Sequence, residues 1–389
     1  MNADASLPTR HARGRELTLA MSTALCYGIA LGLFPALLSL NLENNGFETS
    51  WSGLLGAIPA IAGMAVLPFS PRIVARIGAR PAYFAGAALS VSTAALFPVL
   101  ASLPAWFVLR FLMGAGLSIQ FMVGESWINN LADGPSRGRI LGTYVIVLGA
   151  GLFVGPSIMS VAGTVGHPPF LAASGLLLLA CLPVLLAREM LPAVEGARIM
   201  GFMDALLRKP SAMITGLFDG FIFQTLLVFL PIYALRLGAS EDRAIQYLTV
   251  CMLGGIPLQL AIGYLLDRIG AEAVLVLSCI VVAPAIAAFA WLIDEPVAAW
   301  TALILIGAAS AAVYTAGIAA ISSSFNAEEM PSGTAAFNIV WYVGAITGPA
   351  VAGYAMTLWD PHGVAASIII SCIALGSANA LARYQRKRA

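Results

Sequence analysis

The sequence predicts an all-α polytopic membrane protein, with twelve transmembrane helices in two pseudo-symmetric six-helix bundles and both termini cytoplasmic. Three observations predict it. Only 10% of the 389 residues are charged and 60% are hydrophobic, whereas a soluble domain carries about a quarter charged residues. The apolar residues gather into twelve runs of roughly membrane-crossing length. Short motifs also recur between the two halves of the chain at a nearly constant offset. A mean hydropathy of +0.90 suits a surface that meets lipid, and a formal net charge of +1 provides no basic excess for nucleic acid.

Crossing about 30 Å of hydrocarbon takes about 20 mainly apolar residues. The first six runs that meet this are 17–42, 51–70, 81–101, 104–131, 138–163 and 168–187. The second six are 210–236, 243–266, 271–293, 296–322, 332–358 and 363–382. Run one follows Arg10, Arg13 and Arg15. It is longer than the ~7–15-residue apolar core of a cleavable signal and ends on no small-x-small site, so it reads as the first spanning helix. Between runs six and seven, residues 188–209 mix Arg, Glu, Asp, Pro and Gly. They read as a cytoplasmic linker between bundles 1–187 and 210–389, with a short surface helix near 199–207.

Basic residues orient the chain, because cytoplasmic loops accumulate Lys and Arg. With the N-terminus inside, the cytoplasmic segments hold Arg10, Arg13, Arg15, Arg72, Arg76, Arg80, Arg137, Arg139, Arg188, Arg198, Arg208, Lys209, Arg268, Arg383, Arg386, Lys387 and Arg388. The outer segments hold only Arg236 and Arg243, and Arg110 lies within a run.

The repeat is legible in short pieces. Arg76-Ile77-Gly78-Ala79 returns as Arg268-Ile269-Gly270-Ala271, 192 residues later. Gly151-x-x-x-Gly155-Pro156 returns as Gly344-x-x-x-Gly348-Pro349, 193 residues later, as do Gly114-Ala115 and Gly124 in Gly307-Ala308 and Gly317. The three matches fall in collinear order, as a duplication requires.

With these pieces the chain resembles the major facilitator superfamily along essentially its whole length. The family's loop signature after helices two and eight is Gly-x-x-x-Asp-Arg-x-Gly. The second copy is complete as Gly263-x-x-x-Asp267-Arg268-x-Gly270, whereas the first has Pro71 and Ala75 at the Gly and Asp positions. Arg110-x-x-x-Gly114-x-Gly116 is similar to the family's helix-four arginine motif. The Gly-Pro elements look like those of the proton-antiporter branch, and the copy in run eleven matches better than that in run five. The resemblance implies a cytoplasmic latch built from Arg76, Gly78, Asp267, Arg268 and Gly270, together with Arg137 and Arg139. It also implies a substrate path along helices one, four, seven and ten, and a monomer. Independently of the family, small residues at every fourth position let helices approach closely, and proline bends them.

Three ionisable side chains lie well inside the runs: Arg110 and Glu125 in run four, and Asp219 in run seven. A charge there is costly, so each is expected to face protein or a wet cavity. By helical rise, Glu125 lies about 9 Å and Asp219 about 13 Å from the cytoplasmic ends of their helices. Gln120 and Gln224 lie nearer the midplane, and Arg110 is about 22 Å from Glu125 along the axis. Glu125 and Asp219 are therefore the proton-coupling candidates, since a carboxylic acid removed from bulk water serves as a reversible proton carrier. Arg110, Gln120, Gln224, Tyr27, Phe34, Tyr314 and Trp341 are the substrate-cavity candidates, with Phe221, Phe223, Tyr233 and Tyr342 as further aromatics on the same helices or beside them. A structural reading of Glu125 pairs it with Arg137 or Arg139, and one of Trp127 anchors it at the membrane interface.

Cys26, Cys181, Cys251, Cys279 and Cys372 lie scattered in apolar runs with no CxxC, so neither a metal site nor a disulfide framework is expected. No HExxH, Ser/Lys pair or GxxxxGK[ST] occurs, which speaks against an enzyme, a cofactor and an ATP-driven pump. The expected function is secondary active transport of a small organic solute by alternating access across a bacterial inner membrane. Proton-coupled export is the first reading and proton-coupled uptake the alternative. A passive channel or lipid scramblase is the remote one. Partners are the solute, protons and lipid.

Overall fold

The computed structural model describes residues 10–100, 102–132, 137–187, 202–325 and 329–388, without the side chains of 10–12, 137–138, 202, 259–260, 331 and 379–388. Residues 188–201 of the expected linker, with Arg188 and Arg198, lie outside the described residues, as do the side chains of Arg10, Arg137, Arg383, Arg386, Lys387 and Arg388. Among the described residues every regular element is a helix. In chain order these are α1 (Arg10–Asn44), α2 (Thr49–Val66), α3 (Ser70–Ile77), α4 (Ala79–Leu96), α5 (Leu103–Leu131), α6 (Arg137–Ala162), α7 (Pro168–Leu179) and α8 (Cys181–Leu186). Then follow α9 (Phe202–Arg208), α10 (Pro210–Arg236), α11 (Glu241–Gly254), α12 (Gln259–Ile269), α13 (Ala271–Phe289), α14 (Pro296–Ser322), α15 (Met330–Leu358) and α16 (Gly363–Arg388). The short helix expected near 199–207 is α9, in its described part.

Nine helical segments among the described residues are long and apolar enough to cross a membrane. The other three runs are helical but depart from a plain span for visible reasons. Run three, α4, opens on Arg80 and carries Ser90, Ser92 and Thr93. Run eight divides into α11 and α12 around Gly255 and Pro257, where proline removes a backbone donor. Run twelve, in α16, is apolar only over Gly363–Ala378.

Helix packing repeats with the offset seen in the sequence. α1 packs on α6 as α10 packs on α15; α4 packs on α5 as α13 packs on α14; α4 meets α7 as α13 meets α16. Contacts between the chain's halves are also reciprocal, α2 against α15 and α11 against α6. Glycine makes the tightest of these seams. A Cβ at Gly151 of α6 would lie 2.8 Å from Gly28 Cα of α1, and one at Gly155 would lie 2.8 Å from Leu33 N. In the second half a Cβ at Gly344 would lie 2.8 Å from Phe221 N of α10, and one at Gly220 3.0 Å from Ala345 N. The Gly-Pro elements are thus points of backbone-on-backbone contact. The loop glycines repeat as well. Gly78 (φ 88°, ψ 158°) and Gly270 (φ 77°, ψ 162°) end α3 and α12 in a conformation that side chains resist.

The two ends of the bundle differ. Toward Asn44 and Arg236, one continuous apolar core joins both halves, from Leu33, Phe34 and Leu37 of α1 to Phe229, Leu230 and Tyr233 of α10. Ser39 Oγ donates to the Val228 carbonyl across it (2.8 Å), Thr49 Oγ1 donates to the Gly353 carbonyl (3.3 Å), and Arg236 forms an ion pair with Glu43. Toward the other end the core divides. Ala20, Val123, Trp127 and Val184 form one cluster; Met213, Ile321 and Phe337 form a second; Ile262, Val274 and Ala316 form a third. None of these three clusters joins residues of the two halves.

Because both sides of the α10–α15 seam are backbone, Gly344→Leu is expected to destabilise the protein by about 1–3 kcal/mol or more. Gly175 has open space around its Cβ position, so Gly175→Ala is expected to leave the melting transition of the detergent-purified protein unchanged or slightly higher.

Candidate functional site

Glu125 lies on α5 of the first half and Asp219 on α10 of the second. Glu125 projects from α5, six residues before its end, into a small cavity of about 20 Å³, room for about one water. The wall comprises Thr23 and Tyr27 of α1, Tyr83 of α4, Leu117, Gln120 and Phe121 of α5, Tyr144 of α6 and Leu177 of α7. Tyr27 and Phe121 pack with ring centroids 4.8 Å apart and planes tilted by 31°. Glu125 makes no hydrogen bond or ion pair with the protein among the described residues. It lies within electrostatic reach of the phenols of Tyr27 and Tyr144 on its own half, and of Tyr314 and Tyr342 on the other.

Asp219 is differently placed. It is buried on α10, and the Trp341 indole of α15 donates to its Oδ2 at 2.7 Å. The residues around it are fixed by the glycine seam, since Gly220 and Gly344 bring α10 and α15 into backbone contact beside it. Trp341 in turn packs against Phe223 and Tyr342. One acid is therefore held by a protein donor and the other is left to the cavity.

The glutamines do not mirror each other. Gln120 donates to Ser90 Oγ of α4 at 2.7 Å and keeps an edge on the cavity. Gln224 donates to the Gly56 carbonyl of α2 at 3.2 Å, so it ties the two halves together. Tyr314 is 42% exposed and rests edge-on against Phe337. Phe34 sits fully buried in the sealing core and lines neither of the two cavities described. Arg110 is buried toward the same end, away from Glu125; its Nε has no partner, and it makes no ion pair among the described residues. Tyr233 belongs to the sealing core, against Phe289 and His362.

The residues expected to form the latch make no ion pair with one another among the described residues. Arg76 is exposed, Asp267 and Arg268 make no ion pair among the described residues, and the Arg268 guanidinium lies over the Tyr264 ring at 4.8 Å. Asp267 and Gly270 instead edge a groove of about 400 Å³ together with Lys209 and Glu272. Arg139 is exposed and unpaired with Glu125, and the Arg137 side chain lies outside the described residues. Trp127 is 1% exposed within an apolar cluster, so it is a core residue and not an interfacial anchor.

Sequence reasoning missed Tyr144, Phe121 and Tyr83 in the cavity wall, because attention to runs one, four, seven and ten excluded α4 and α6 and the ring beside Gln120 carried no polar mark. It also missed the polar seal of Glu43, Arg236 and Asp360, in which Arg236 Nη1 approaches Asp360 Oδ2 at 2.9 Å. A signal existed: Arg236 is one of only two basic residues on the side that lacks them.

The family model of the Major Facilitator Superfamily matches residues 17–349 and again 212–388. The chain is 25% identical over 340 residues to the uncharacterized MFS-type transporter YfkF of Bacillus subtilis, covering 86% of each chain. It is 24% identical over 337 residues to the uncharacterized MFS-type transporter YcaD of Escherichia coli, covering 86% of this chain and 87% of the relative. The crystal structure of the nucleoside transporter NupG covers 95% of this chain and 98% of its own at a TM-score of 0.75 and 14% identity. A mutant form of NupG matches at 0.79 and 15%, which likewise speaks for the fold alone.

Trp341→Phe removes the donor to Asp219, and a hydrogen bond to a charged group contributes about 1.5–3 kcal/mol. That variant is expected to melt several degrees lower, while Glu125→Gln, which breaks no hydrogen bond or ion pair among the described residues, is expected to melt within about a degree of wild type by scanning fluorimetry.

Proposed function

The chain belongs to the major facilitator superfamily, a family of transporters and not of enzymes, and from that premise we propose that it exports a small organic solute in exchange for protons. Twelve spans in two bundles, 1–187 and 210–389, rock about the glutamine and carboxylate level, with both termini cytoplasmic in a bacterial inner membrane. The protein works as a monomer without cofactor or ATP.

One observation carries this reading. The bundle is sealed by a shared apolar core at one end and divided into separate clusters at the other, with Glu125 facing a small cavity lined by helices of the first half. A protein caught between these two arrangements needs only to exchange them to pass a solute. In the proposed orientation the divided end is cytoplasmic, and the latch around Arg76, Asp267 and Arg268 closes when the seal at Glu43, Arg236 and Asp360 parts. Glu125, with no hydrogen bond or ion pair among the described residues, takes up and gives up the coupling proton. Asp219 shares that task through Trp341. Gln120, Tyr27 and Tyr314 contact the solute. Arg110 acts from the sealed end and meets solvent only when that end opens.

The Gly-Pro elements favour export. The degenerate first loop, with Ala75 at the acidic position, favours the second reading, uptake of a nutrient or metabolite.

Comparative exometabolomics on cells overproducing wild type, Glu125→Gln or Asp219→Asn at matched membrane levels tests the proposal. A compound accumulating outside with wild type alone, and moving in vesicles only under an imposed proton gradient, is the expected result. Depletion of that compound from the medium reverses the direction. Variants that keep wild-type proton dependence remove both carboxylates from the coupling role.

A further inference from the structure

The five cysteines stand far apart in the sequence, but the fold brings two of the free thiols together. α13 packs on α16, and each contributes a buried stripe with the three-and-four spacing of a helix seam. On α13 the stripe includes Leu275, Cys279 and Val282, and on α16 it includes Ile368, Cys372 and Leu375, all within the sealing core. Three short loops separate α13 from α16, so the two helices run antiparallel and the cysteines take matching places in the seam. Their thiols are hydrogen-bonded to each other. Cys279 is 7% exposed and Cys372 2%. The duplication does not account for the pair, because Gly86 of α4 and Leu179 of α7 stand 193 residues earlier.

By helical rise Cys279 lies about 12 Å from the start of α13 and Cys372 about 14 Å from the start of α16, which puts both sulfurs deep in the hydrocarbon region. Thiol–disulfide exchange from water needs a thiolate and an open approach, and this apolar core supplies neither. Lipid, in contrast, reaches the flanks of the pair. Ile280, next to Cys279, is 63% exposed, and Ile373, next to Cys372, is 61% exposed. We propose that Cys279 and Cys372 form a redox-modification site, a dithiol in the membrane core that a lipid-soluble quinone oxidises to a disulfide joining α13 to α16. Two S–H bonds break and one S–S bond forms; the two electrons and two protons pass to the quinone, which leaves as hydroquinone. The bond closes a long loop through α14 and α15, which restrains the unfolded chain. Both helices belong to the second half, so the bond stiffens that half without tying it to the first.

Treatment of the full chain with decylubiquinone in phosphatidylcholine vesicles tests the site, with thiols then counted by maleimide labelling of the denatured protein and mass spectrometry. The five cysteines are expected to fall to three reactive ones, with a peptide cross-linked between Cys279 and Cys372. Oxidised glutathione in the water phase is expected to leave all five. Cys279→Ser and Cys372→Ser are each expected to keep their remaining four. Quinone-treated wild type is expected to melt several degrees above the untreated protein, a shift absent from either single variant. Retention of five thiols after quinone, a cross-link between other cysteines, or loss of thiols from either variant would overturn the proposal. Equal oxidation by glutathione disulfide would overturn the route through lipid.

Discussion

Lipid offers helices no hydrophobic reason to associate, because a leucine is as well solvated by acyl chains as by another helix. What holds this bundle is close approach, and glycine permits it. At Gly28, Gly32, Gly151 and Gly155 of the α1–α6 seam, and at Gly220 and Gly344 of the α10–α15 seam, the neighbour is main chain, so any side chain added there meets atoms that cannot swing aside. The same device joins the halves, where Gly353 of α15 meets Gly53 of α2. The α10–α15 seam fixes α10 closely enough for Trp341 to cap Asp219, and Gly116 of α5, against Gly86 of α4, holds the helix that carries Glu125. Helices locked in pairs are also poor at bending individually, which leaves relative movement of packed groups as the easier motion.

The same constraint explains why the polar groups fall where they do. A charge in the hydrocarbon region is tolerable when it faces protein or water, and each of the three intramembrane charges finds a different solution. Asp219 takes a donor from the neighbouring helix, Glu125 opens onto the cavity, and Arg110 is enclosed near the sealing core. At the sealed end, where the chain leaves the membrane, Arg236 gathers Glu43 and Asp360 from the ends of α1 and α15. Surface ion pairs contribute little stability individually, about 0–1 kcal/mol each. That weakness suits a closure that must be reversible.

Much of this was legible in the residues, for reasons that differ between fold and site. Run lengths follow from bilayer thickness, so all twelve appear as helix, and the Gly-Pro repeat marks the seams because only small residues fit there. The breaks at Gly255–Pro257 and the polar character of α4 were present in the letters but hidden by their apolar average. Glu125, Asp219 and Trp341 were each legible as candidates, since an acid or an indole in an apolar run needs a partner. That Trp341 serves Asp219, and that Phe34 turns into the seal, depends on helix rotation, which a run of apolar residues does not encode. Tyr144 was invisible because a tyrosine in a span reads alike whether it faces lipid, a neighbour or a cavity.

The central claim is that the sealed and divided ends exchange roles, and paired distances measure it most directly. In a cysteine-depleted background, spin labels at Glu48→Cys and Asp294→Cys report one end, and labels at Arg72→Cys and Ser322→Cys report the other. Pulsed dipolar spectroscopy in nanodiscs is predicted to give two populations whose distances change in opposite directions as pH is shifted. A single unchanging distance at both ends, or both ends widening together, would contradict alternating access and leave the molecule a static pore or scaffold.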